Sequence, residues 1–292
     1  MSEKSWTVGE LLKVTTDYLR SKKIDSPRLN AEVLLAFQLR LDRVQLYLNF
    51  EKPLNEKEVS GYRFLIKRRM SREPLQHITG TQEFWSLDFT VGPQALVPRP
   101  ETEVLVEKIL ELYKGKRFGD RPRILDLGTG SGVIAVAIAR EIPGAKIWAT
   151  DISRDALALA RLNSHKHGVE ERIRFLLGDL FEAIEDQALS FEVIASNPPY
   201  IPSGLLDSLA PEVKNYEPRL ALDGGQDGMS FVTKIINEAA DRLSQGGWLA
   251  VEMDPDQTLK AMNLIEQGGR YSTAERIKDY SRRFRVVMAE KR

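Results

Sequence analysis

The chain has 292 residues, 42% of them hydrophobic, with 42 basic and 42 acidic side chains and no cysteine. This composition can bury a substantial core and excludes disulfides, thiolate metal sites and a cysteine nucleophile. Zero net charge argues against an enzyme that grips bare nucleic acid by neutralising phosphates.

No run reaches the roughly eighteen apolar residues of a membrane span, and Met1 to Thr16 lacks a signal-peptide pattern, so a cytoplasmic protein without membrane attachment is expected. The three histidines, His77, His165 and His167, show no metal-ligand spacing, and no metal is expected. His165 and His167 read as a solvated helix end before Gly168.

Residues 1–75 read as a small helical bundle without strands. Leu11, Leu12, Tyr18 and Leu19 form one apolar face, and Leu29, Val33, Leu34, Phe37 and Leu41 another. Pro27 and Pro53 punctuate the helices, with Ser26 and Asn55 as caps. Arg63, Lys67, Arg68, Arg69 and Arg72 give the last helix a basic face. It is either solvated or a docking surface for a macromolecular substrate, with Arg68 and Arg69 as the expected contacts. Residues 76–97 read as a hairpin linker, because Phe84 to Val91 alternates as strands do.

Residues 98–292 form the third region. Pro98-Arg99-Pro100 precedes an amphipathic helix from Glu103 to about Tyr113, with Thr102 as a cap. Strands are expected at 123–127, 146–150, 173–177, 191–195 and 248–253, and helices at 133–140 and 155–166. The alternation implies an α/β fold, a mainly parallel sheet with helices on both faces. Strands at 271–278 and 284–290 close it as an antiparallel pair.

Four candidate sites fall at the C-terminal ends of successive strands, where open α/β sheets bind ligands. The first is Asp126-Leu127-Gly128-Thr129-Gly130-Ser131-Gly132, where glycines allow a sharp turn and close approach to a ligand. The Gly-Lys-Ser/Thr of a phosphate loop is missing, and Val133 stands where a dinucleotide fingerprint needs its third glycine. The pattern resembles the first motif of class I S-adenosylmethionine methyltransferases, with other nucleotide binders and a tight structural turn as alternatives. The second is Asp151, able to accept ribose hydroxyls or to cap the next helix, a task Ser153 could serve equally. The third is Gly178-Asp179-Leu180. In the resembling enzymes the acid at Asp179 binds the adenine amino group and the residue at Leu180 packs on the ring; an ordinary loop cap is the alternative.

The fourth is Ser196-Asn197-Pro198-Pro199-Tyr200. Two consecutive prolines stiffen the loop and remove its donors, so the Asn197 side-chain oxygen and the Pro198 carbonyl can form a preset pair of acceptors. An amide or aromatic –NH₂ offers two donors, and holding both aims its nitrogen. Tyr200 can cover the flat face of that group. An amide nitrogen is a weak nucleophile, so orientation must do most of the work.

Asn-Pro-Pro-Tyr with the Gly-rich motif resembles several amino-group methyltransferases acting on adenine, guanine or protein glutamine. Glu83-Phe84-Trp85, Val97-Pro98-Arg99-Pro100-Glu101-Thr102-Glu103, Asn215-Tyr216-Glu217-Pro218-Arg219-Leu220-Ala221-Leu222 and Gly224-Gly225-Gln226-Asp227-Gly228 resemble the protein glutamine-N5 methyltransferases of release factors (the PrmC/HemK family). The resemblance covers almost the whole chain. It implies S-adenosyl-L-methionine as cofactor, held by Gly128 to Gly132, Asp151, Asp179, Leu180 and Asn197. It also implies a monomer without stable nucleic-acid binding, whose partner is a release factor. The substrate is then that factor's Gly-Gly-Gln glutamine, met by Asn197, Pro198, Pro199 and Tyr200, with Asn197, Pro198 and Tyr200 catalytic. Arg99 and Glu101 are expected at the pocket mouth, with a role at the start of the helix as the alternative. The chain's own Gly224-Gly225-Gln226 reads as a flexible loop. Glu252-Met253-Asp254-Pro255-Asp256-Gln257 departs from the family's Glu-x-Gly-x-x-Gln, which leaves the shape of that turn open.

Overall fold

Capping side chains fix where the first helices begin. The computed structural model describes residues 6–185 and 189–292. A two-residue strand, β1 (Trp6–Thr7), leads into α1 (Val8–Ser21), then α2 (Pro27–Leu39), α3 (Arg43–Leu48), β2 (Pro53–Leu54), α4 (Glu56–Met70) and α5 (Leu75–Thr79). Thr7, Asp42 and Asn55 cap α1, α3 and α4, and Glu10, Gln45 and Glu58 return the bond, satisfying two orphan donors per helix. Ser26 makes no capping bond to α2. Asn30 holds that end instead, donating to the Asp25 and Ser26 carbonyls.

Leu12, Leu19, Leu34, Leu35, Leu46 and Tyr62 form the centre of this helical unit. The expected α2 face is rotated: Leu29 and Phe37 are exposed, and Ala31 and Leu35 are buried beside Leu34. Tyr62 fixes that rotation by donating to the Ala31 carbonyl at 3.0 Å. The unit is not free of strands, since β1 and β2 pair antiparallel; two-residue strands carry no periodicity to read.

Arg68 and Arg69, the expected docking contacts, both have partners inside the unit. Arg68 is held bidentate by Glu73. Arg69 is buried, bonded to Asn30, the Glu73 carbonyl and Glu212. Glu212 belongs to the short helix Pro211–Tyr216, which packs with this unit although it lies far along the chain.

The second unit runs from Thr81 to Ala210 and resumes at Glu217. It holds β3 (Thr81–Phe84), β4 (Leu87–Thr90), α6 (Glu103–Lys114), β5 (Arg123–Leu127), α7 (Val133–Glu141), β6 (Lys146–Asp151), α8 (Arg154–Lys166), β7 (Ile173–Leu177) and β8 (Phe191–Ser196). After α9, the Pro211–Tyr216 helix, come α10 (Ser230–Arg242), β9 (Leu243–Glu252), α11 (Thr258–Gly268), β10 (Tyr271–Lys278) and β11 (Phe284–Lys291). Seven strands form one sheet in the order β10-β11-β9-β8-β5-β6-β7. β9 to β7 run parallel, and β11 is antiparallel to both β9 and β10.

Side chains alternate across this sheet as the pleat demands. Ile124, Ile147, Val193 and Ala250 pack under α6, α7 and α8. Leu125, Trp148, Ile194 and Leu249 pack under α10 and α11. The sheet is therefore covered on both faces, as parallel sheets require.

The expected linker at 76–97 is not a separate element. α5 groups with the helices, and the β3–β4 hairpin with the sheet, because Phe84 and Phe89 are buried in the sheet's own core. Its turn residues Trp85 and Ser86 are both left-handed, φ 54° and 55°, as a tight primed turn needs. Glu103 accepts the Trp85 N–H at 2.8 Å. His167, expected to be solvated, packs its ring at a tilt against Phe89 and bonds the Asp88 carbonyl. Asn163, fully buried, accepts from the Thr90 N–H and donates to the Thr90 and Ser131 carbonyls, at 2.8, 3.0 and 2.9 Å. One side chain thus ties the hairpin to the Gly-rich loop.

Asn163→Ala strands the buried Ser131 carbonyl and two half-buried backbone groups of Thr90 and should cost on the order of 3 kcal/mol, read as a lowered denaturation midpoint of the sheet unit. In the helical unit, Glu32 is buried and accepts from Arg28, Arg43 and Tyr47. Burial pushes its pKa up, but these donors outweigh it and hold it below the ordinary 4.5. Its stabilising contribution is therefore complete above pH 4.5 and lost as pH falls through the depressed value. Glu32→Gln should lower stability near neutrality by about 1–3 kcal/mol, and acid titration of the unfolding midpoint should show that difference shrinking.

Candidate active site

The strand order reverses between β5 and β8: β6 and β7 continue on one side, β9 on the other. A crevice outside the C-terminal ends is the geometric consequence. There lies a cavity of about 230 Å³. Register brings its two main loops together: Leu127 pairs with Ser196, and the Ser196 hydroxyl donates to the Leu127 carbonyl at 2.8 Å.

Gly128, Thr129, Gly130 and Ser131 line the cavity. Gly128 and Gly130 have φ of 68° and 56°, and a Cβ on Gly128 would meet only open space, so bare backbone faces the cavity. Gly132 does not line it. It starts α7, and a Cβ there would press on that of Ala160 at 3.0 Å. The Thr129 hydroxyl donates to Asp126 at 2.6 Å, a fully buried carboxyl whose pKa burial raises to about 7.

Asp151 lines the cavity with its carboxylate held by two backbone donors, Gly130 N–H at 2.9 Å and Ser153 N–H at 2.8 Å. Burial still raises its pKa. Ser153, not Asp151, caps α8. Asp179 and Leu180 also line the cavity; Asp179 pairs with Lys234 at 3.1 Å, and Leu180 is buried with a left-handed φ of 47°.

Asn197, Pro198 and Pro199 line the other side. The Asn197 amide nitrogen donates to the Thr102 hydroxyl at 3.1 Å. Its oxygen is buried with no hydrogen-bond partner among the described residues. Tyr200 does not line the cavity; its phenol is buried, which raises its pKa, and its carbonyl accepts from Gln257 at 2.8 Å. Gly224 packs so close that a Cβ would sit 2.7 Å from the Tyr200 Cα and 2.8 Å from the Pro199 carbonyl. The expected flexible loop at Gly224-Gly225-Gln226 is instead a built turn, with the Gly224 N–H on the Ile201 carbonyl and the Ile201 N–H on Leu222. Asp254 and Gln257 form a reciprocal cap, which gives the altered turn its shape.

Arg99 lines the cavity and is paired with the buried Glu217 at 2.7 Å. Glu101 does not line it. Thr102 does not cap α6 as expected but faces the cavity beside Asn197. Thr102, Asn163 and Gln257 escaped sequence reasoning as site-shaping residues. Gln257 had a signal, since it stands in the family's Glu-x-Gly-x-x-Gln stretch. Apolar wall residues such as Ala95, Ile152 and Phe231 carried none.

Two family domains match the chain: the PrmC N-terminal domain over residues 10–80 and the methyltransferase small domain over residues 100–208. A release factor glutamine methyltransferase of Geobacter sulfurreducens is 46% identical over 271 residues, 92% of each chain. One from Rhodopirellula baltica is 41% identical over 98% of this chain and 97% of its own. Among solved structures, the hMettl16 catalytic domain bound to an RNA hairpin superimposes with a TM-score of 0.57 at 15% identity, covering 74% of this chain and 79% of that one. The T. thermophilus rRNA N2 methyltransferase RsmC with AdoMet and guanosine gives 0.50 at 20% identity, over 73% and 50%. These two likenesses show the fold: a class I methyltransferase sheet. On sequence, the chain belongs to the release factor glutamine methyltransferase family.

Proposed function

We propose that this enzyme transfers a methyl group from S-adenosyl-L-methionine to the side-chain amide nitrogen of the Gly-Gly-Gln glutamine in peptide chain release factors, in support of translation termination. The observation that carries the reading is the Asn197 oxygen: a buried acceptor without a donor among the described residues, in the cavity that the Gly-rich loop lines. Buried acceptors are normally satisfied, and an incoming –NH₂ would satisfy this one.

The residues present fit the cofactor. Gly128 and Gly130 let its amino-acid portion approach the backbone, Asp151 can accept ribose hydroxyls, and Asp179 and Leu180 suit the adenine. When bound, S-adenosylmethionine supplies an electrophilic methyl group. The Asn197 oxygen and the Pro198 carbonyl hold the two amide protons and aim the nitrogen's weak lone pair. Such orientation can remove about 7–11 kcal/mol of barrier. The same two acceptors stabilise positive charge as it develops on nitrogen. The methylated nitrogen is far more acidic than the amide, so its proton leaves after transfer.

Tyr200 supports the loop from behind, through its backbone, and Arg99 with Glu217 shapes the mouth. Among the described residues, no helix is long and apolar enough to cross a membrane. The reading carries with it a monomer that works in the cytoplasm and binds nucleic acid at most transiently.

The test is methyl transfer from radiolabelled S-adenosylmethionine to purified unmethylated release factor, with peptide mapping. Label on the Gly-Gly-Gln glutamine is expected; label only on ribosomal RNA or DNA would overturn the substrate. Asn197→Ala should lower kcat by about 10²–10³-fold, the range seen when one preorganised hydrogen-bonding group is removed from an active site, with an unchanged unfolding midpoint. Near-normal turnover in that variant would remove Asn197 from the mechanism.

A further inference from the structure

An amide side chain has two faces of similar shape, and only one of them accepts. Asn197 serves the proposed reaction only with its oxygen toward the cavity, so something must fix which way it points. Its nitrogen donates to the Thr102 hydroxyl at 3.1 Å. Thr102 is 2% exposed and makes no capping bond to α6. That hydroxyl has a single proton.

Glu252, the last residue of β9, is fully buried and near enough to Thr102 for that hydroxyl to act on its charge. Neither carboxylate oxygen has a partner within hydrogen-bonding geometry among the described residues. The Thr102 hydroxyl, with Arg285 and Arg99, stabilises its charge against burial, while Glu101 opposes it and Tyr200 lies near enough to feel it. A buried carboxylate short of donors takes the nearest rotatable proton. With its proton turned to Glu252, Thr102 can only accept, and only the –NH₂ edge of Asn197 can face it.

We propose that Thr102 and Glu252 are positioning residues for methyl transfer: Glu252 claims the Thr102 proton, and Thr102 thereby locks the Asn197 amide with its oxygen toward the substrate. This rests on the reaction proposed above. In this role neither residue needs to touch the reacting atoms; both act through Asn197.

Two variants separate this role from a structural one. Thr102→Val keeps the shape and removes the hydroxyl, so the amide loses its lock; kcat should fall on the order of 10²-fold, the scale of a misplaced reacting group. Thr102→Ser should restore most of the rate. Glu252→Gln replaces a carboxylate that only accepts with an amide that can donate to Thr102, which frees the hydroxyl proton for the Asn197 oxygen and permits the wrong orientation. Burial raises the Glu252 pKa to about 7, so the comparison is made well above that pH, where Glu252 is ionised and only accepts; there its buried charge destabilises the fold and the amide relieves that strain.

Glu252→Gln should therefore unfold at higher temperature and yet turn over more slowly, an opposition that a structural role does not produce. The readouts are kcat and KM for release factor relative to wild type, cofactor affinity by calorimetry, and the unfolding midpoint. A fall in kcat with cofactor affinity retained, rescued by serine, is the expected result. Wild-type kcat in Thr102→Val or in Glu252→Gln would overturn the proposal while leaving wild-type transfer, and so the reaction itself, intact. Loss of kcat that only tracks loss of the unfolding midpoint in both variants would overturn it as well.

Discussion

A buried oxygen with no donor costs about 1–3 kcal/mol, and this fold spends much of its detail keeping the Asn197 oxygen in that state. The parallel register of β5 and β8 sets the loop beside the Gly-rich turn. Two prolines remove the N–H groups at 198 and 199 that could otherwise turn inward and satisfy the acceptor. Gly224 approaches the Pro199 and Tyr200 backbone from behind, closer than any side chain would allow, and Gln257 pins the Tyr200 carbonyl. The unsatisfied acceptor is thus held rigid and cannot relax onto its own protein, so the free energy of satisfying it becomes available to an incoming amide.

The same economy governs the carboxylates around the cavity. Asp151 spends both oxygens on backbone donors and still lines the cavity, because a carboxylate retains lone pairs after two bonds. Asp126 is committed to the loop through Thr129 and lies wholly inside. Of these two acids, Asp126 is sealed inside the Gly-rich turn, whereas Asp151 both holds that turn through Gly130 and lines the cavity.

Much of this was legible in the sequence, for physical reasons. The strands at 123–127 and 173–177 and the antiparallel closing pair follow from apolar runs bounded by glycine and charge, and the structure has them where expected. The four loops were legible because loops at strand ends must be compact and chemically specific, and so carry Gly, Asp and Pro in dense patterns. The failures share a different cause. The α2 face was misjudged because Leu29 and Phe37 satisfy helical spacing as well as Leu35 does, and only the partner Tyr62 decides the rotation. Arg68 and Arg69 read as a free basic face because their partners, Glu73 and Glu212, are assigned by tertiary packing; Glu212 lies 143 residues from Arg69. Tyr200 was placed on the ligand side because a motif gives residue types and spacing, not which atoms of a residue are used. Here the backbone carbonyl is the part held in place.

The grouping of Pro211–Tyr216 with the helical unit bears on the order in which the chain can fold as it is made. Arg69 is buried and Glu212 is its acidic partner, so the helical unit lacks a piece of itself until residue 216 has left the ribosome. At synthesis rates of about 5–20 residues per second, that piece arrives on the order of ten seconds after Gly80. Strands β5 to β8 emerge in the interval. The N-terminal unit therefore cannot finish first as a sealed module, and its completion waits on a segment delivered by the sheet domain's own chain.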